Sequence, residues 1–110
     1  MGVKLSEILN APVTIKLGDL EIECRRASLS DHILGDDFAN KLVEEKSGNA
    51  IIKSMVYRLW LCSKKVDGGP ATWEDLMLAI PLEAITSNKS NTLRTALETL
   101  GFLPPQPATK

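Results

Sequence analysis

The sequence has 110 residues, with thirteen Lys plus Arg against fourteen Asp plus Glu, a formal charge of −1. Hydrophobic residues make up 44 % and charged residues 25 %, the composition of one ordinary globular domain. This excludes a disordered tail, a disulfide-dense scaffold and a large multidomain enzyme, and it argues against a partner held mainly by phosphate contacts. No apolar run approaches the roughly 18 residues of a membrane span, so no membrane partner is expected. Residues 1–11 alternate polar and apolar and form no signal peptide.

In chain order, Leu5, Ile8 and Leu9 fall at i, i+3 and i+4 and predict a short helix over 4–9, which Pro12 ends. Residues 13–17 and 20–25 each alternate apolar and polar around Gly18-Asp19, the signature of a β-hairpin with one buried face. Val13, Ile15, Leu17, Leu20, Ile22 and Cys24 point inward in this reading. Lys16 and the Glu21/Glu23 pair lie outward, where opposite charges pair across strands.

From Ser28 the period changes. Ser28 followed by Asp31 reads as a capping-box-like start. Ile33, Leu34, Phe38, Leu42 and Val43 then mark one helical face, and Gly48 is suited to a left-handed cap. Residues 50–63 are apolar on most sides, which predicts a central helix contacted from several directions. Asp-Gly, Gly-Gly and Gly-Pro steps make 64–71 the main loop. Thr72 caps the next helix, Glu74 and Asp75 favour its dipole, and Leu76, Met77 and Ile80 give it an apolar face. Pro81 breaks that helix and opens a short turn containing Leu82 and Ile85. Leu93, Ala96, Leu97 and Leu100 mark the last helix, which Gly101 ends. The expected fold is α+β and helix-dominated, an N-terminal hairpin over 13–26 on a bundle of four to five helices over 29–46, 50–63, 72–80, 82–87 and 91–100. It forms one domain over 1–103, with a proline-rich flexible tail over 104–110.

Little in this sequence carries chemistry. Cys24 and Cys62 follow no metal spacing and read as buried, reduced thiols, although their sequence positions leave a disulfide open. His32 reads as a surface residue of a first helical turn. No phosphate loop, nucleophile elbow, zinc helix or calcium loop is present. No cofactor, metal or catalytic residue is therefore assigned. The carboxylate pairs Asp36/Asp37, Glu44/Glu45 and Glu74/Asp75 sit on helices where neighbours point about 100° apart and cannot share a proton or metal. Protein binding is left. Trp73, beside the loop at a helix start, is the candidate anchor, with Leu76, Met77 and Ile80 completing the candidate partner-binding face. The competing reading makes Trp73 a core residue, and Trp60 is read as core.

The order of features adds to this. A hairpin over 13–25 and two helices precede Val66-Asp67-Gly68-Gly69-Pro70-Ala71-Thr72-Trp73-Glu74-Asp75-Leu76, and a short last helix ends in Leu100-Gly101. Over residues 12–103 this resembles the small tail assembly chaperones of long-tailed bacteriophages and prophages. The resemblance implies a non-enzymatic protein that binds the tape measure protein, keeps it soluble and helps recruit tail tube subunits. It also implies action in the cytoplasm of the infected or lysogenic host, absence from the mature virion, possible self-association and, in many members, a longer frameshifted form. Two readings compete. One is a small phage DNA-associated or regulatory protein using the segment 88–94, and the other is an enzyme using Cys24 or His32.

Overall fold

A computed structural model describes residues 12–66, 68–86 and 92–102. The expected helix over 4–9 and the tail over 104–110 lie outside the described residues. The fold is α+β and helix-dominated. Strands β1 (Pro12–Leu17) and β2 (Leu20–Arg25) form an antiparallel hairpin, followed by α1 (Leu29–Glu44), α2 (Ala50–Ser63), α3 (Trp73–Ala79), α4 (Glu83–Thr86) and α5 (Leu93–Leu100).

The hairpin follows from its alternation. Leu17 faces Leu20 across the two-residue turn, Ile15 faces Ile22, and Val13 faces Cys24. Ile15, Leu17, Ile22 and Cys24 are buried, while Val13 and Leu20 are half-buried against the same core. Lys16 faces Glu21 and reaches its carboxylate at 3.9 Å on the solvent side. Gly18 has φ +60, and a Cβ there would fall 2.9 Å from the Pro81 ring, so both the backbone conformation and the space favour glycine.

Helix α1 starts at a complete capping box. Ser28 Oγ accepts from the Asp31 N–H (3.2 Å), and Asp31 Oδ2 accepts from the Ser28 N–H (2.9 Å). Its inward stripe differs from the expected one. The residues turned inward are Asp31, Gly35, Phe38 and Leu42, whereas Ile33, Leu34 and Val43 are exposed. At 3.6 residues per turn Ile33 and Leu42 lie about 180° apart, so they never shared a face. The helix end also differs. Lys46, not Gly48, takes the left-handed conformation (φ 55), with the Ser47 N–H on the Leu42 carbonyl and the Lys46 N–H on the Val43 carbonyl.

Helix α2 is central, packing against α1, α3, α5 and β2. Val56, Leu59 and Cys62 enter the core shared with the hairpin, Leu76, Ala84 and α5. Thr72 caps α3 through the Asp75 N–H (3.1 Å), and Thr92 caps α5 through the Thr95 N–H (3.3 Å). All four apolar residues expected on α5 are buried. Gly101 (φ 102) turns the chain so that Phe102 tucks into the core. Each fully buried leucine of this core contributes about 1.5–3 kcal/mol of transfer free energy.

Candidate interaction surface

Four aromatic rings meet where α1, α2 and α3 converge. Phe38 stacks on Tyr57 (centroids 4.1 Å, 12° between planes), and Trp73 approaches Phe38 edge-on at 5.2 Å. Tyr57 is also 5.7 Å from Trp60. The edge-on Phe38–Trp73 geometry suits the ring quadrupoles and adds about 0.5–1.5 kcal/mol beyond area burial. Trp60 is half-buried rather than a full core residue. Its Nε1–H donates to the Pro70 carbonyl (3.1 Å), and Lys64 Nζ lies 4.6 Å over its ring. Trp60 thus ties Pro70 to α2.

This arrangement places the four residues singled out on α3. Trp73 is half-buried and staples the start of α3 onto Phe38. Leu76 is 1 % exposed and belongs to the core, so it cannot form part of a surface face. Met77 and Ile80 are half-buried against that core. The apolar surface on this helix is instead Leu78, 85 % exposed.

Four exposed apolar residues fall on α1. Leu29 (75 % exposed) and Ile33 (51 %) are one turn apart on its outer side, Leu34 lies about 100° round from Ile33, and Val43 stands on the outer side near the far end of the helix. Ile51, Leu82 and Ile85 are also exposed. The sequence signal for this surface was the spread of five apolar residues around the whole wheel of α1, too broad for one buried stripe.

No reactive constellation forms among the described residues. Cys24 and Cys62 are free and buried, and burial pushes both thiols up to about 12. They stay protonated and poorly nucleophilic at neutral pH. His32 is exposed and lies 3.3 Å from Asp36, which also binds Arg58 at 2.7 Å. No group of three or more His, Cys, Asp and Glu among the described residues could hold a metal ion. None of their helices is long and apolar enough to cross a membrane. No protein-family model, curated protein or solved structure matches this chain.

Proposed function

We propose that the protein is a tail assembly chaperone of a long-tailed bacteriophage or prophage. In this reading it covers the apolar stripe of a long helical tape measure protein in the host cytoplasm, holds it soluble and helps recruit tail tube subunits. The observation that carries the reading is the outer side of α1. A well-capped helix of 16 residues presents Leu29, Ile33, Leu34 and Val43 to solvent, fixed to the domain by its opposite side. Exposed apolar stripes on a rigid helix suit packing against an amphipathic partner helix. The resemblance in feature order supports the same reading, with Thr72-Trp73-Glu74-Asp75-Leu76 capping and opening a later helix.

The test is co-expression with a long helical tape measure protein. The soluble fraction of that protein should rise with the wild-type chain and fall back when Leu29 and Ile33 are both changed to Glu. An unchanged soluble fraction with the folded wild-type chain overturns the proposal.

A further inference from the structure

Four consecutive residues of β2, Leu20 to Glu23, line one wall of a groove of about 370 Å³. Consecutive residues point to opposite faces of a strand, so a wall made of all four is the strand's edge and not a face. Across the groove stand Val66, Pro70, Leu76 and Ala79.

That edge is open. Leu17 and Leu20 close the two-residue turn as a hydrogen-bonded pair, and the alternation makes Ile15–Ile22 and Val13–Cys24 the next such pairs. Glu21 and Glu23 therefore direct their N–H and C=O groups away from β1, into the groove. No backbone bond to either residue forms from the turns, loops or caps of the described residues. Elsewhere the exit of the hairpin is tied down: the Ala27 N–H donates to the Leu100 carbonyl (3.0 Å), and Lys65 Nζ donates to the Arg26 carbonyl (3.0 Å).

We infer that the edge of β2 is a docking site for an extended peptide segment that alternates apolar and basic residues, added as a third strand. Backbone pairing with Glu21 and Glu23 supplies the affinity, as in other strand additions. Alternation follows from the two sides of the groove. Side chains turned inward meet Ile22, Leu76 and Ala79, which select apolar residues. Side chains turned outward stand beside Glu21 and Glu23. Glu21 is shared with Lys16, but Glu23 faces Thr14 and has no ion-pair partner among the described residues. The rim therefore selects Lys or Arg. The same two carboxylates disfavour a second copy, because antiparallel pairing of two β2 edges places glutamate beside glutamate. This inference does not rest on the chaperone reading.

The experiment uses the full chain and two acetylated, amidated heptapeptides, one alternating valine with lysine and one alternating valine with glutamate. Amide exchange and chemical shifts are followed by NMR. The lysine peptide should slow exchange at Glu21 and Glu23 saturably. It should bind roughly tenfold more tightly than the glutamate peptide, the effect of turning two cross-strand charge pairs from repulsive to attractive. Changing both exposed residues, Glu21→Lys with Glu23→Lys, should reverse the preference. Four results overturn the inference: no saturable binding of either peptide, binding that leaves both amides unprotected, equal affinity for the two peptides, or protection that rises with protein concentration alone, which assigns the edge to a second copy.

Discussion

Gly35 of α1 lies directly against the side chain of Arg58 of α2. A Cβ at position 35 would stand 2.6 Å from Arg58 Nε and 2.7 Å from its Cγ. The contact lets the guanidinium cross α1 and bind Asp36 at 2.7 Å. Gly35→Ala on its own should thus destabilise by about 1–2 kcal/mol, the range for overpacking, despite alanine's better helix propensity. In an Arg58→Ala background the same change should stabilise by about 0.5–1 kcal/mol, because the obstruction is gone. Urea unfolding of the four proteins measures both signs. The same sign in both backgrounds sinks the explanation.

Asp31 should be the most sensitive polar position. Its carboxylate is almost fully buried and binds both the Ser28 N–H and Lys65 Nζ. Removing it by Asp31→Ala leaves Lys65 short of its partner and the helix without half its cap. A loss of about 2–3 kcal/mol is expected, the upper part of the range being reduced because Lys65 keeps some solvent. Ser28→Ala should lose only about 1 kcal/mol. Equal losses in urea unfolding would mean that the cap, and not the ion pair, dominates at Asp31.

The two buried thiols give the protein an alkaline limit. Both are raised from 9.0 to about 12 in the folded protein, so the unfolded chain loses its protons first as pH rises. Their contribution is complete below pH 9 and falls between pH 9 and 12, by at most ~1.4 kcal/mol per pH unit for each thiol. Thermal unfolding between pH 8 and 11 should show a smaller fall in the Cys24→Ala/Cys62→Ala double variant. A thiol reagent at pH 8 should label both cysteines only at the rate of global opening. Rapid labelling of native protein would contradict their burial.

Trp60 and Leu76 exchange the ranks that their residue types suggest. Leu76→Ala should destabilise by about 2–5 kcal/mol as a full core truncation. Trp60→Phe should lose only about 1 kcal/mol, the worth of its bond to the Pro70 carbonyl. That variant should also loosen residues 68–70, seen as faster amide exchange at Gly68 and Gly69 while the helices keep their protection. A global loss of protection would place Trp60 in the core after all.

Helix α1 offers the converse test. Leu29→Glu and Ile33→Glu should each alter stability by no more than ~0.5 kcal/mol, as exposed positions do. A loss above 2 kcal/mol for either would mean that its side chain is covered in solution.

What was legible in the sequence depended on how local the cause was. The hairpin was readable because a period of two and a two-residue turn fix the faces of Ile15, Leu17, Ile22 and Cys24 within fourteen residues. The inward face of α5 was readable because Leu93, Ala96, Leu97 and Leu100 occupy a single stripe. Helix α1 was misread because its inward stripe joins Phe38 and Leu42 to Gly35, which packs on Arg58 of α2, and to Asp31, which binds Lys65 just beyond α2; no hydrophobicity pattern selects the last two. The C-terminal cap was misplaced because Lys46 accepts a conformation usually left to glycine, held there by two bonds to the preceding turn. On α3 the periodicity located the apolar side of the helix, but only packing against α2 decides that Leu76 on that side is buried while Trp73, Met77 and Ile80 are half-buried. The groove beside β2 was hidden because one wall is residues 20–23 and the other falls within 66–79, far apart in sequence.

The bond between the Ala27 N–H and the Leu100 carbonyl joins the end of the hairpin to the end of the last described helix, and α5 packs on β1. Such distant pairing gives the chain a late closing step. During synthesis the hairpin emerges first, yet its apolar face waits for Leu93, Leu97 and Leu100 to be made. Until α5 has been made the nascent chain therefore carries uncovered apolar surface of its own, and the domain closes only once α5 has left the ribosome.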